Sequence, residues 1–404
     1  MNTPMDSTWV EGAAGSLFDV DNLPYGVFAR ADGAPRVGVR IGDRVLDLVA
    51  VALPDRRAVF DRPSLNAFLA EGPAVWRSTR VWLTGLLTDP TGRDAVEPHL
   101  LALADVTLLM PVEVGDYVDF YASLNHASNV GRMFRPDQEP LLPNWRHLPV
   151  GYHGRAGTVV PSGTDVIRPC GQRKAPTEDA PTYGPSRRLD IEAEVGFLLG
   201  MGTDLGSRVS TAAFADHVFG VVGLNDWSAR DIQAWEYVPL GPFLGKSFAT
   251  SISRWVTPVA ALDAAWTDLP VQDPEPLDYL RVAGPAGLDL AIEVELNGVV
   301  VSRPPYRTMY WSPAQMLAHL TVNGASVRPG DLFASGTVSG PERDERGSLL
   351  ELSWGGTQPI AVGGAERTFL EDGDSVTLRY TAPGTGGGRI ALGEVSGTVV
   401  PARP

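Results

Sequence analysis

An alternation of apolar and acidic residues near the middle of the chain constrains the fold most. Between residues 189 and 200, Ile191, Ala193, Val195 and Phe197 alternate with Glu192, Glu194, Gly196 and Leu198. A period of two predicts a β-strand with one apolar face. Glu192 and Glu194 would share the other face, with Cα atoms roughly 6.5–7 Å apart. Carboxylates that close raise each other's pKa unless a cation lies between them, so this strand either faces water or holds a metal ion.

A second Glu-x-Glu pair provides a comparison within the same chain. Glu293 and Glu295 lie on an equally regular predicted strand, which leads into Asn297-Gly298, a pair typical of a type I′ hairpin turn. Taken alone, such a pair of acids is more typical of a solvated strand face than of a metal site.

Glu192 and Glu194 differ from that pair because two further acids occur in apolar surroundings. Asp119 lies in Val-Asp-Phe-Tyr, and Asp226 follows the apolar run from residue 218 to 225. Four carboxylates form an all-oxygen set, which suits Ca²⁺, Mg²⁺ or Mn²⁺ and not Zn²⁺. Spacing alone leaves open whether the four acids meet, so the metal and solvated-surface interpretations both stand at this point.

Length, charge and cysteine content limit the class of protein. A chain of 404 residues exceeds what one core usually supports, which predicts two domains. The net charge of −15 argues against nucleic acid or an anionic membrane as partner. No run approaches the ~20 apolar residues of a membrane span, and the first 15 residues lack the features of a secretory signal. A single cysteine, Cys170, fits a reducing, cytoplasmic location.

The predicted organisation has three parts. Residues 1–16 are small and polar and are predicted to be disordered. Residues 17–115 form a small mixed domain, with short strands at 25–30, 35–41 and 44–49 and a helix at 75–87. Residues 116–404 are rich in glycine and proline and have short strands, which favours a β-rich roll or sandwich. Two helices interrupt the third part, at 210–217 and at 312–322, where Ser312, Pro313 and Gln315 predict a capping box.

Candidate catalytic residues lie close to these acids in sequence. His126 could be a general base because imidazole titrates near neutrality, although a lone histidine is more often structural. Lys246 lies in an apolar, turn-rich stretch, where burial would require a nearby anion. Arg230 and Gln233 offer further donors, with a surface helix as the alternative. The sequence contains no zinc motif and no Gly-x-Ser-x-Gly elbow of a serine hydrolase.

Longer motifs closely resemble the fumarylacetoacetase branch of the fumarylacetoacetate hydrolase family, over the chain from about residue 23 to the C-terminus. They include Asp119-Phe-Tyr, Leu-Pro-Val-Gly-Tyr-His-Gly-Arg at 148–155, Leu-Asp-Ile-Glu-Ala-Glu at 189–194, Asn-Asp-Trp-Ser-Ala-Arg-Asp-Ile-Gln at 225–233, and the blocks at 126–131, 143–145, 235–248 and 334–342. The resemblance implies a mainly β fold with some α, composed of a small SH3-like N-terminal barrel and a large β-rich roll, and a homodimer.

The resemblance also implies site residues. The calcium ligands would be Asp119, Glu192, Glu194 and Asp226, and a second cation, usually magnesium, would lie near Asp226, Lys246 and Thr250. Substrate contacts would be Tyr121, Arg135, Tyr152, Gln233, Tyr237 and Thr337. The catalytic histidine would be His126 with Glu351 as its acidic partner, and Lys246, Arg230 and Gln233 would stabilise developing negative charge.

The implied reaction is the hydrolysis of a carbon–carbon bond in a small diketo diacid. Water and 4-fumarylacetoacetate would give fumarate and acetoacetate, the last step of tyrosine and phenylalanine catabolism. One motif departs from the family, which commonly has Ser-Arg-Gln before the histidine where this chain has Ser123-Leu124-Asn125. The alternatives are another enzyme of the superfamily, such as a decarboxylase, hydratase or acylpyruvate hydrolase, and a metal-binding protein without catalytic activity.

Overall fold

The architecture is that of a mixed α/β protein in which strands dominate. A computed structural model describes residues 7–31, 33–175 and 177–403. The helices are α1 Leu48–Val51, α2 Arg57–Phe60, α3 Asn66–Leu69, α4 Pro73–Thr88, α5 Arg93–Val96, α6 Leu124–Phe134, α7 Phe214–His217, α8 Arg230–Glu236, α9 Pro313–Thr321 and α10 Leu349–Leu352.

The strands are short, as the density of glycine and proline predicts. The first thirteen are β1 Tyr25–Ala29, β2 Arg36–Ile41, β3 Arg44–Asp47, β4 Leu100–Ala102, β5 Thr107–Leu108, β6 Tyr117–Phe120, β7 Gly151–His153, β8 Val159–Pro161, β9 Val166–Ile167, β10 Cys170–Arg173, β11 Thr182–Pro185, β12 Leu189–Asp190 and β13 Ala193–Leu199. The others are β14 Val218–Asp226, β15 Ser228–Ala229, β16 Thr250–Ile252, β17 Trp255–Pro258, β18 Trp266–Thr267, β19 Gly287–Leu288, β20 Ala291–Leu296, β21 Val299–Ser302, β22 Leu332–Ala334, β23 Ile360–Val362, β24 Ala365–Arg367, β25 Ser375–Pro383, β26 Arg389–Ala391 and β27 Val395–Val400.

One large sheet connects the two predicted domains. Its main path is β4-β3-β2-β1-β17-β14-β13-β22-β6-β7, so the N-terminal strands continue into the strands that carry the acids. The prediction of a mainly β fold with some helix is confirmed. The predicted SH3-like barrel is not, because the N-terminal strands in the described residues form an open path and not a closed barrel.

The N-terminal segment and α4 differ in detail from the predictions. Residues 7–16 do not fit the predicted disorder, since Val10 and Ala13 are buried; residues 1–6 lie outside the described residues. The predicted helix at 75–87 corresponds to α4, which has Pro73 in its first turn. Its buried face runs through Trp76, Thr79, Leu83 and Leu87.

The central strands carry a correction to the predicted strand at 189–200. That segment is two strands, β12 and β13, because β12 pairs with β15 whereas β13 pairs with β14 and β22. Glu192 therefore lies in the break between them. Every residue of β13 and β14 is buried, so β13 has two covered faces and not one apolar face as its alternation predicted.

The comparison pair of acids lies on the second sheet, whose main path is β21-β20-β25-β27-β9. Along β20 burial alternates, and the Glu293 and Glu295 side chains are partly exposed on the outer face. Arg303 and Arg379 bind them at 3.0 and 2.6 Å. Asn297 and Gly298 have φ values of 52° and 81°, which confirms the predicted turn.

The predicted helices in the β-rich part are present with different regularity. In α9 the Ser312 side chain accepts from the Gln315 N–H, and the Gln315 side chain accepts from the Ser312 N–H, which confirms the capping box. The predicted helix at 210–217 is a 3₁₀ turn followed by the four-residue α7, and Ser210 makes no side-chain cap. None of the described helices has the length and apolar character to cross a membrane.

Candidate active site and metal centre

The four acids predicted from sequence meet in the core of the central sheet. Asp119 is near the end of β6, Glu192 precedes β13, Glu194 is on β13, and Asp226 ends β14. All four are buried, and one oxygen from each lies within 4.8 Å of the others. The interpretation of Glu192 and Glu194 as a solvated pair is therefore wrong.

Two of these carboxylates have an oxygen without a protein partner. Asp119 Oδ1 and Glu194 Oε1 are buried and unbonded among the described residues. Burial raises the pKa of Asp119 to about 8, and the charge of Asp226 adds to that rise. Burial raises the pKa of Glu194 well above its usual range, with Asp119 contributing. A hard divalent ion would offset both effects, because carboxylate oxygens are its preferred ligands. The residues present therefore fit an ion of the Ca²⁺ or Mg²⁺ class.

Two buried cations neutralise the other two carboxylates. Lys246 Nζ donates to Asp226 Oδ2 at 2.6 Å and to Glu192 Oε2 at 2.5 Å. Arg230 Nη1 donates to Glu192 Oε1 at 2.7 Å. Burial alone would raise the pKa of Glu192, but Lys246 and Arg230 hold that pKa below its ordinary value. Glu192 is therefore a permanent anion shared between protein cations and any bound ion.

Asp190 is a residue of this network that the sequence predictions missed. Its carboxylate accepts from Arg230 Nε at 2.8 Å and from the N–H groups of Leu349 and Leu350 at 2.7 and 3.0 Å. Those N–H groups begin α10, so Asp190 links Arg230 to the helix that carries Glu351. Asp190 could have been predicted as a site residue because it lies between Leu189 and Ile191. Asp119 was chosen on the same ground, an acid between apolar neighbours.

His126 and Glu351 form a buried pair. His126 Nδ1 lies 2.6 Å from Glu351 Oε2. His126 is near the start of α6, where the Ser123 hydroxyl accepts from the His126 N–H at 3.2 Å. Glu351 accepts further hydrogen bonds from Asn129 Nδ2, Ser339 Oγ and Ser348 Oγ, at 3.0, 2.9 and 2.9 Å. Burial would raise the pKa of Glu351, but His126 and these donors hold that pKa below its ordinary value. The carboxylate can therefore fix the imidazole orientation.

A cavity of about 460 Å³ lies beside this pair. Tyr121 lines it, and the Tyr121 ring lies edge-on to His126 with 5.3 Å between ring centroids. The wall includes five of the six predicted substrate contacts, namely Tyr121, Arg135, Tyr152, Gln233 and Tyr237. Thr337 is not in that wall. It follows Gly336, whose N–H donates to Glu194 Oε2 at 3.2 Å, and its own hydroxyl is buried without a partner among the described residues.

Comparison with known proteins identifies the family. Residues 117–400 match the family model described as fumarylacetoacetate (FAA) hydrolase C-terminal, and residues 21–111 match the model described as fumarylacetoacetase N-terminal. The chain belongs to the fumarylacetoacetase family.

Relatives of this family from distant organisms match nearly the whole chain. Fumarylacetoacetase of Homo sapiens is 46% identical over 98% of this chain and 99% of its own length. That of Arabidopsis thaliana is 43% identical over the same shares of the two chains. Among solved structures, a fumarylacetoacetate hydrolase from Exiguobacterium antarcticum covers 94% of this chain and 100% of its own, with a TM-score of 0.55. Its identity of 18% makes it a likeness of fold alone.

The departure from the family motif before His126 leaves the local backbone well held. Ser123 caps α6, as described above, and its hydroxyl also lies 3.2 Å from the Ser339 carbonyl. Asn125 Nδ2 donates to the same carbonyl at 3.1 Å. The segment carrying Leu124 and Asn125 is thereby tied to Ser339, whose hydroxyl donates to Glu351.

The three residues predicted for the second cation are also neighbours. Thr250 Oγ1 donates to Asp226 Oδ1 at 2.8 Å, and Lys246 is bound to the other oxygen of Asp226. Arg155 reaches the same place: its Nη2 donates to Asp226 Oδ1 at 2.9 Å and to the Lys246 carbonyl at 3.0 Å. Arg155 is the second site residue that the sequence predictions missed, although it ends one of the motifs that carry the family resemblance.

Proposed function

We propose that this chain hydrolyses 4-fumarylacetoacetate to fumarate and acetoacetate, and so serves the last step of tyrosine and phenylalanine catabolism. The observation that carries the proposal is the buried cluster of four acids beside the His126–Glu351 pair, in a chain of the fumarylacetoacetase family. Relatives of that name match this chain over nearly their whole length.

His126 is the general base of the proposed reaction. Because Glu351 is anionic and contacts Nδ1, it favours the tautomer with the proton on Nδ1. The Nε2 lone pair is then available to take a proton from water as that water attacks the substrate carbonyl. Glu351 stabilises the imidazolium that forms. Proton transfer of this kind typically contributes ~10²–10⁴-fold to a rate.

The proposed metal ligands are Asp119, Glu192, Glu194 and Asp226, and calcium is the ion we propose. Bound there, calcium would act as a Lewis acid toward the diketone oxygens. The second predicted ion, magnesium, is not part of this proposal because Arg155 lies among its expected ligands.

Three donors are placed to stabilise negative charge on the substrate. Lys246 makes two side-chain hydrogen bonds and has a third N–H left over. Arg230 Nη2 is buried and has no partner among the described residues. Gln233 accepts from Arg230 through its Oε1, which leaves its amide N–H groups for the cavity. Preorganised donors of this kind are each worth roughly 3–4 kcal/mol of transition-state stabilisation.

Arg135 and the tyrosines form the proposed binding site for a substrate carboxylate. Arg135 Nε is buried without a partner in the described part of the chain, while its Nη2 donates to the Pro140 carbonyl at 2.8 Å. A guanidinium with free donors suits the two oxygens of a carboxylate. Tyr121 and Tyr237 would flank the substrate chain. Tyr152 donates to Asp119 Oδ2 at 2.8 Å, so it also positions a metal ligand.

We also propose that the chain works as a homodimer in the cytoplasm. Val238, Leu240 and Phe243 are large apolar side chains exposed within one short segment, which supports an association surface there. The single cysteine suits a reducing compartment. Light scattering would give twice the chain mass of 43.2 kDa if the dimer forms.

The proposed role of His126 is tested by replacing it. His126→Ala removes the base without touching the four acids, so kcat for fumarylacetoacetate is expected to fall by ~10²–10⁴-fold while calcium binding persists. Turnover is followed by the loss of diketone ultraviolet absorbance, and calcium by calorimetric titration.

His99→Ala is the matched control, because His99 is half-buried in the N-terminal part and is not among the site residues described above. Its activity is expected to equal that of the unmodified chain. Near-normal turnover by the His126 variant would remove His126 from the mechanism, and turnover that survives complete chelation would make the acid cluster purely structural.

A further inference from the structure

The place predicted for a second metal ion already holds a positive charge from the protein. Arg155 Nη2 lies 2.9 Å from Asp226 Oδ1, 3.0 Å from the Lys246 carbonyl and 3.4 Å from Thr250 Oγ1. Those residues are the ones predicted to bind magnesium. One guanidinium nitrogen therefore contacts the carboxylate, the carbonyl and the hydroxyl that would surround that ion.

A magnesium ion and this nitrogen cannot share the space. Mg²⁺ requires oxygen ligands at about 2.0–2.1 Å in near-octahedral geometry. A guanidinium that donates to those same oxygens repels the ion and blocks its place. A guanidinium carries its charge at every pH that a protein tolerates. Asp226 is compensated on both oxygens without a second metal, by Arg155 at Oδ1 and by Lys246 at Oδ2.

The backbone around Arg155 fixes it in this position. Thr158 donates to the Arg155 carbonyl through its N–H, at 3.0 Å, and through its hydroxyl, at 3.2 Å. The next strand, β8, pairs in parallel with β16, which sets Val159 opposite Thr250. The guanidinium also lies over the Tyr117 ring, 5.7 Å from its centroid.

The contacts of Arg155 Nη2 must offset the free-energy cost of burying the rest of the guanidinium. Nε and Nη1 of Arg155 are buried and have no partner among the described residues, and unsatisfied buried donors are unfavourable. The three oxygen contacts and the charge of Asp226 are what hold the head group in place. We propose that Arg155 is the built-in second cation of this site and that the chain binds a divalent ion at the four acids only.

Removing the guanidinium tests this inference. The ion content of the calcium-loaded protein is measured by mass spectrometry after equilibrium dialysis against Mg²⁺. The unmodified chain is expected to take up no Mg²⁺ beside its calcium. Arg155→Ala is expected to gain about one Mg²⁺ per chain, because the three oxygens that the guanidinium contacts become free to bind the ion. The double variant that also carries Thr250→Val is expected to lose that ion again. Arg187→Ala, at an exposed arginine, is the matched control and should gain none.

Either of two results overturns the inference. One is an unmodified chain that binds Mg²⁺ and loses it on Thr250→Val, a variant that keeps Arg155 and so decides the matter even where Arg155→Ala does not fold. The other is a folded Arg155→Ala that gains no ion. The inference shares its site with the proposed function, but the gain of Mg²⁺ on removing Arg155 does not depend on turnover, so the two can fail separately.

Discussion

The buried carboxyl of Asp119 couples proton binding to metal binding. Burial and the charge of Asp226 raise its pKa to about 8, against an ordinary value of 3.8 in an unfolded chain. Between those values the metal-free folded chain holds a proton that the unfolded chain has lost. Stability of the metal-free chain therefore decreases as pH rises from about 4 to about 8. A divalent ion replaces that proton, so the loaded chain escapes this decrease.

The expected outcome is a difference in melting temperature that grows with pH. Between pH 5.5 and 8, at a fixed calcium concentration, the gap between calcium-loaded and chelator-treated protein should widen, because calcium binds more tightly once the Asp119 proton is lost. At a pH where that concentration is 100 times the Kd, calcium should contribute about 2.7 kcal/mol. Differential scanning fluorimetry across this range measures the gap. Asp119→Asn should flatten its pH dependence. A gap that stays constant with pH in the unmodified chain would show that no carboxyl proton is displaced.

The site residues that could be predicted from sequence were charged residues with apolar neighbours in the chain. Asp119 interrupts an apolar run and Asp226 ends one, which indicates that both are buried, as they are in the structure. Asp190 has the same context but its role depends on α10, which is distant in sequence. Arg155 could not be assigned because its partners are a carbonyl and two side chains on other strands, which no local pattern reveals.

Among the elements, β25 supports the strand pair that carries Glu194. Tyr380 of β25 reaches across to the central sheet, where its hydroxyl lies 2.9 Å from the Glu194 carbonyl and accepts from the Leu224 N–H at 3.2 Å. Its ring packs against Gly223, where an added Cβ would lie 2.4 Å from it. The glycine is thus required for the close approach of the two sheets.

Tyr380→Phe keeps the ring and removes this bridge. The Leu224 N–H is left buried without its side-chain acceptor, so the free energy of unfolding should fall by about 1–3 kcal/mol, as measured by urea denaturation. Calcium affinity should weaken with it because Glu194 loses support. Tyr183→Phe is the matched control, since Tyr183 is 77% exposed, and should change stability by less than about 0.5 kcal/mol. Equal effects at the two positions would contradict the proposed role of the bridge.

Element boundaries were predictable where local signals act alone. The α9 capping box and the Asn297-Gly298 turn depend on a few adjacent residues, and both were confirmed. The predicted continuous strand through Glu192 was not confirmed. The break between β12 and β13 depends on which strands pair with them. At Glu192 the N–H donates to the Asn225 side chain at 3.1 Å and not to the backbone of a neighbouring strand. Apolar and polar residues alternate through this break as well, so the alternation alone could not predict it.

At the scale of the whole molecule, the N-terminal part shares its core with the rest. One cluster of buried residues contains Val27, Val39 and Leu83 together with Val222 and Leu332. The same two parts are joined through the main chain, since β1 pairs with β17. We therefore propose that the two predicted domains, 17–115 and 116–404, unfold together as one cooperative unit.

A fragment of residues 17–115 is expected to remain unfolded when expressed alone, because one face of its core would be exposed to water. The full chain is expected to unfold in one calorimetric transition, with the calcium-loaded protein as the sample. A folded fragment with its own cooperative transition, or two resolved transitions in the full chain, would show that each part has a sufficient core of its own.

The order of strands in the central sheet has a consequence for synthesis on the ribosome. Asp119, Glu192, Glu194 and Asp226 have all been made once residue 226 is added, but β6 reaches β13 only through β22, which spans Leu332–Ala334. A nascent chain of about 300 residues thus contains all four acids but lacks the strand that places Asp119 beside the other three. We therefore expect a chain truncated before β22 to lack the complete four-acid site, because the strand that joins β6 to β13 is missing.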